Sequence, residues 1–294
     1  MNNYPSRRVV FGTVCLSLWM LTMTASAQSQ ESDETSDKAD ISGLITTEAG
    51  SAVPSARIQL WTFRDEPVRH WEPIDSPQID QEGAFQLVDL EVPVSLLFRA
   101  ESEEFAPAWS TLHLSEGGAT ETKIVMCDPG RVTLSVRDES GEPIAGASVR
   151  WMKIEGPNGS VSLPSHTFRD LDMARPTSDE QGLLQIDDLP SSARLTVGLL
   201  HADHAPAELK AVAIVEEGEP STVEMKDGIP LKIRVLSDGL DEPIEEVTIY
   251  LTHQPFDHPS SHFLEQIPLD RSGRARLMIE PGSYHMLRFT HPKA

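Results

Sequence analysis

The sequence predicts an all-β protein made of tandem seven-stranded β-sandwiches, the last of them incomplete. Three observations predict it. One turn pattern occurs three times, as Asp80-Gln-Glu-Gly83, Asp179-Glu-Gln-Gly182 and Asp270-Arg-Ser-Gly273, at spacings of 99 and 91 residues, too long for a solenoid and right for β-domains of about 100 residues. Longer pieces repeat in step with it: Gly50 to Ile58 matches Gly141 to Val149, and Phe105-Ala-Pro-Ala108 matches His204-Ala-Pro-Ala207. From Ile41 onward the chain also consists of short alternating runs broken by Gly, Pro, Asp and Ser, the texture of strands joined by turns.

Taken in order, the first residues read as an export signal. Arg7 and Arg8 precede an apolar run from Val9 to Leu21, and Ala25-Ser-Ala27 supplies a small-x-small cleavage site. The run holds about 13 residues where a membrane-spanning helix needs roughly 20, so residues 1–27 are expected to be removed. Residues 28–40 follow as an acidic linker with Glu31, Asp33, Glu34, Asp37 and Asp40 and no apolar side chain larger than alanine, which cannot offset the entropy of ordering. The sandwiches are then expected over residues 41–127, 128–226 and 227–294.

The second repeat shows the plan. Val132, Leu134 and Val136 alternate with Thr133, Ser135 and Arg137 to give a strand with one buried face. Asp138-Glu-Ser-Gly141 turns the chain into a second strand bearing Val149 and Trp151, two positions apart and therefore expected on one buried face. A long polar loop is expected from Glu155 to about Pro176, with Asn158-Gly159-Ser160 as a tight turn. Asp179-Glu-Gln-Gly182 makes the next hairpin, because Asp can accept backbone amides ahead of it and Gly can take a positive φ. Strands around Leu184–Ile186, Leu195–Leu199, Leu209–Ile214 and Val223–Met225 complete it. The first repeat is eight residues shorter between its second strand and its Asp-x-x-Gly turn. The third has strands at Leu231–Val235, Val247–Leu251 and Tyr284–Phe289 and then stops, which reads as a fragment of a longer chain lacking its last two strands.

These residues resemble the carboxypeptidase regulatory-like domains, a prealbumin-like family. The matching pieces are Gly141-x-Pro143-Ile144-x-Gly146-Ala147-x-Val149, the Ser178-Asp179-x-x-Gly182 hairpin, Asp188-Leu189-Pro190 and the x-Ala-Pro-Ala tail of the fifth strand. The resemblance spans most of residues 41–294 and implies Greek-key sandwiches with an accessory or spacer role. It also implies an alternative, since starch-binding modules share this topology.

Charge limits the partners. The chain has 24 basic and 46 acidic residues, net −22; losing Arg7 and Arg8 with the signal leaves 22 basic residues and a net charge of −24. Such a surface repels phosphates, which argues against nucleic acid and anionic membranes, and leaves a protein or polysaccharide of the cell envelope as the expected partner. Cys127 is the single cysteine left after cleavage, so no intramolecular disulfide can form, and it reads as a small buried apolar residue.

No catalytic set is expected. His113-Leu-Ser-Glu116 and His262-Phe-Leu-Glu265 fit the short zinc-peptidase pattern, but both lie in β-rich sequence without the α/β domain that chemistry needs. His253, Asp257, His258 and His262 form the densest group of potential metal ligands, set against the plainer reading of a solvated loop stiffened by two prolines. His201-Ala-Asp-His204 is a packing feature, because the repeat alignment puts Phe105 opposite His204. The Asp-x-x-Gly turns carry one carboxylate each, too few for a calcium loop. No cofactor is expected. For the carbohydrate-binding alternative, Trp61, Trp71, Trp109 and Trp151 are the available rings, and Trp71, in a polar loop beside Pro73, is the one expected to stand exposed. The sequence thus predicts an exported, non-enzymatic protein of spacer or interaction modules.

Overall fold

In the computed structural model, residues 38–64, 70–236, 248–253, 265–267, 269–279 and 285–290 are described. Strands dominate. The first seven are β1 (Lys38–Thr47), β2 (Arg57–Arg64), β3 (His70–Ile74), β4 (Ala84–Glu91), β5 (Val94–Glu101), β6 (Ala108–Leu114) and β7 (Gly118–Met126). They make two sheets, β4-β1-β7 and β3-β2-β5-β6, in which β1 runs antiparallel to β4 and parallel to β7. Alternate residues of both sheets, among them Ile41, Ile45, Leu60, Leu96, Phe98 and Ile124, fill the space between them and are almost wholly buried.

The same layout returns in β8 (Pro129–Arg137), β9 (Ser148–Gly156), β10 (Gly159–Pro164), β11 (Leu183–Pro190), β12 (Arg194–Leu200), β13 (Ala207–Ala213) and β14 (Ser221–Glu224). Their sheets are β11-β8-β14 and β10-β9-β12-β13, around Leu134, Val149, Leu184, Leu195 and Val197. A third pair follows: β15 (Ile229–Arg234) with β18 (Arg274–Ile279), and β17 (Glu265–Ile267), β16 (Thr248–His253) and β19 (His285–Thr290) in the order β17-β16-β19. Strand for strand, β1, β8 and β15 hold one place in the plan and β2, β9 and β16 the next. The all-β sandwich architecture read from the sequence is therefore the one observed.

The repeated turns are built as their residue types require. Asp179 accepts the amides of Gln181 and Leu183 on Oδ1 at 2.9 and 2.8 Å, and Gly182 closes the turn with φ +74°. Asp80 and Asp270 do the same with Glu82 and Ala84, and with Ser272 and Arg274. Gly182 has a second reason to be glycine. Its carbonyl accepts Val136 N at 2.8 Å, and a Cβ there would lie 2.5 Å from the Val136 carbonyl oxygen.

Four expectations change. The acidic linker ends earlier than residue 40, because β1 begins at Lys38: Ala39 is buried, Lys38 pairs with Asp89 at 3.2 Å, and Asp40 accepts the Asp89 amide at 2.9 Å. The long loop of the second repeat is largely ordered as regular structure. Pro157-Asn158 form a two-residue hairpin loop between Gly156 and Gly159, Val161 and Leu163 of β10 point inward, and the helix α1 (Ser165–Asp170) follows, close to where the eight extra residues fall. Trp71 lies in strand β3, not in a loop. Trp151 changes face, because the pairings Leu199↔Val149, Gly198↔Trp151 and Val197↔Met152 leave Arg150 as an extra residue. Met152 therefore joins Val149 in the core, while the indole of Trp151 covers Gly198 on the opposite face, where any Cβ would strike the ring.

Candidate functional surface

In most sandwiches one face of each sheet meets the core and the other meets water. The outer face of β3-β2-β5-β6 departs from that. On β5, Leu96 and Phe98 point inward and Leu97 outward; on β2, Leu60 points inward and Trp61 outward; on β6, Trp109 points outward. Trp61, Leu97 and Trp109 are nevertheless only 7%, 1% and 6% exposed. They belong to the apolar cluster that contains Val161 and Leu163 of β10, Phe168 of α1 and Leu171 just beyond it. Helix α1 lies against β3, and β10 against β6. The β9–β10 hairpin and helix α1 of the second repeat thus cover the outer face of the first.

Polar contacts fix this joint at its rim. Asn158, at the tip of the β9–β10 hairpin, accepts Val125 N on Oδ1 at 2.7 Å and donates Nδ2 to Val125 O at 2.9 Å, so one side-chain amide pairs with the free edge of β7 as a neighbouring strand would. Asp170 of α1, its carboxylate nearly buried, accepts Trp71 N at 3.2 Å on one oxygen and Arg169 on the other. The Arg99 guanidinium stacks over Trp109 at 5.1 Å while reaching Glu101 at 2.7 Å. The Ser192 hydroxyl donates to Cys127 Sγ at 3.1 Å, and burial pushes the Cys127 thiol above its usual pKa.

The x-Ala-Pro-Ala motif acquires a role here. Ala106, its first alanine, donates its amide to Cys127 O at 3.0 Å, and Ala205, 99 residues on, donates to Lys226 O at 2.8 Å. Each motif ties down the chain as it leaves one sheet pair for the next.

Each burying tryptophan removes about 150–250 Å² from water, which at roughly 25 cal/mol per Å² is several kcal/mol before ordering costs. The joint thus combines two tryptophans and Leu97 with at least three cross-joint hydrogen bonds, each contributing about 0.5–1.5 kcal/mol.

Trp71 is half-buried against the same cluster, its ring edge-on to Phe63 with centroids 5.2 Å apart. His113 is an exposed strand residue bonded through Nδ1 to Ser95 Oγ at 2.8 Å. His204 is largely buried, 3.9 Å from Asp227, with the His201 ring 5.0 Å away. His253 ends β16, where its backbone pairs with His285, whereas Asp257, His258 and His262 lie outside the described residues. Among the described residues no three His, Cys, Asp or Glu side chains gather where a metal ion could sit, and no helix is long and apolar enough to cross a membrane. Sequence reasoning missed the joint, although Leu96-Leu97-Phe98 carried the signal: three consecutive large apolar residues mark a strand covered on both faces.

The chain matches no family model and no curated protein sequence. Among solved structures it is similar to the shaft pilin SpaA of Lactobacillus rhamnosus GG, at 10% identity and TM-score 0.27 over 66% of this chain and 98% of that one. It is similar also to GBS52, the minor pilin of Streptococcus agalactiae, at 16% identity and TM-score 0.30 over 68% and 99%. A third is BcpA, the major pilin subunit of Bacillus cereus, at 9% identity and TM-score 0.25 over 86% and 88%.

Proposed function

We propose that this chain is an exported, non-enzymatic spacer of the cell envelope, in which sandwiches over residues 38–127, 128–226 and 227–294, of carboxypeptidase regulatory-like type, hold fixed positions relative to their neighbours. The signal at residues 1–27 and the acidic segment after it give it export and a tether. One observation carries the reading. The surface that a binding module would leave open, the aromatic outer face of the first sandwich, is used to seat the second.

The carbohydrate reading requires an open aromatic platform. Trp61, Trp109 and Trp151 are buried and Trp71 is half-buried, so none of the four presents a free ring. A distance measurement tests the spacer reading. Spin labels at the exposed positions Glu121 and Glu180, one in each of the first two sandwiches, are expected to give a single narrow distance distribution that broadens in Leu97→Asp. A broad distribution in the parent protein refutes rigid spacing, and saturable quenching of tryptophan emission by oligosaccharides revives the alternative.

A further inference from the structure

Several cations in the first two sheet pairs have a carboxylate within 4 Å: Lys38 with Asp89, Arg64 with Glu72, Arg99 with Glu101, Lys153 with Glu155, Lys210 with Glu208. The β15–β18 ribbon is different. Lys232 and Arg234 on β15 and Arg274 and Arg276 on β18 all face solvent, while Ile233, Ala275 and Leu277 alternate with them toward the apolar side. The register sets Lys232 opposite Arg276 and Arg234 opposite Arg274. Like charges directly opposite destabilise a ladder, so this arrangement costs the fold something. Only Arg276 has an ion-pair partner among the described residues, Asp203 at 3.7 Å. Asp270 borders the patch, but its Oδ1 already accepts two turn amides. The four cations rim an open hollow of about 380 Å³ in a protein whose net charge is otherwise strongly negative.

We infer that this ribbon binds the acidic N-terminal segment, Gln28 to Asp37, of a second copy of the chain. Charge complementarity selects that occupant. Paired as an extended strand, the segment would carry Glu31, Asp33 and Asp37 on one face, with residues two apart spaced by about 6.8 Å, the repeat that also separates Lys232 from Arg234 and Arg274 from Arg276 along their strands. Each chain carries an acidic segment before β1 and a basic ribbon in its third sheet pair, so pairing is head-to-tail and can propagate. Attraction acts only at short range, because the Debye length is about 8 Å at physiological salt and the net charges of two copies repel. The inference goes beyond the spacer reading and does not rest on it.

The test titrates a fluorescein-labelled peptide of residues 28–37 with the mature chain. Saturable binding is expected at about 50 mM salt, weakening on the order of tenfold or more at about 500 mM. Replacing the peptide's acids by amides abolishes it, and so does the variant K232Q/R234Q/R274Q/R276Q. That variant removes two opposed like-charge pairs, so it should melt no lower than the parent and its loss of binding is not unfolding. Sedimentation of the mature chain should show association rising with concentration. Equal peptide binding by the glutamine variant overturns the inference, as does a chain that stays monomeric at about millimolar concentration. Binding of a sulfated polysaccharide to the ribbon that the peptide cannot displace overturns it too.

Discussion

Asn158 offers the sharpest test of the joint. Its amide makes two hydrogen bonds to Val125, one as acceptor and one as donor, at a half-buried site. Neutral hydrogen bonds contribute about 0.5–1.5 kcal/mol each, so Asn158→Ala should cost about 1–2 kcal/mol, and no more, because water can reach the β7 edge once the side chain is gone. Asn158→Asp is the informative change. At pH 7 it keeps the acceptor for Val125 N but turns a carboxylate oxygen toward the Val125 carbonyl, for a cost of about 1–3 kcal/mol. A protonated carboxyl, like an amide, offers one acceptor and one donor. The introduced acid therefore has a folded-state pKa raised above the usual value near 3.9, and its stabilising contribution is present at low pH and lost as pH rises through that folded value. Denaturant titration of parent, Ala and Asp proteins at about pH 7 and about pH 4 reads this directly, with hydrogen exchange at Val125 as the local probe. The Asp variant should approach the parent in acid while the Ala variant does not. If both variants are neutral, or the Asp penalty does not change with pH, the joint is not held as described.

Three further outcomes follow from the same geometry. Gly182→Ala should destabilise by about 2–4 kcal/mol, since it combines a positive φ with a Cβ crowding the Val136 carbonyl; Gly141→Ala, at φ +86° with nothing within 4 Å, should cost about 1–2 kcal/mol, and equal losses by denaturant titration would show that close approach does not matter. The Asp138 carboxyl is held below its usual pKa, first by the Ser140 hydroxyl and then by the amides of Glu142 and Ser140, so its stabilising contribution is present at neutral pH and lost as pH falls through the lowered value; Asp138→Asn should flatten that part of the acid unfolding curve. Cys127, pushed up first by burial, should resist thiol reagents at pH 8 until the protein unfolds, and the stability tied to its neutral form should decline only above the ordinary thiol range, as seen by labelling rates across pH.

Turns were the most legible part of the chain, because Asp and Gly at those spacings do one local job that neighbours cannot override: Oδ1 satisfies two amides and Gly supplies the left-handed corner. The faces of strands were less legible. Trp151 follows Val149 by two residues, yet one extra residue in β9 sends it to the other side, and a bulge leaves no mark in periodicity. Ser160 and Ser162 made β10 look like loop, while its inward residues Val161 and Leu163 were the true signal. Trp71 looked exposed because Glu72 and Pro73 surround it; the group that covers it, α1, lies about 100 residues away in sequence and cannot be paired with it by any local rule. The basic ribbon was hidden by the chain's overall acidity, since net charge averages away a patch of four.

The parallel pairing of β1 with β7 has a mechanical consequence. Nine residue pairs, from Ala39↔Gly118 to Thr47↔Met126, join the first and last strands of one sandwich side by side. Tension on the polypeptide pulls the start of one strand and the finish of the other in opposite directions, so their ladder is loaded in shear and its bonds must rupture together instead of unzipping singly. A sandwich wired this way resists stretching far better than its equilibrium stability suggests, a property suited to a component that bears load.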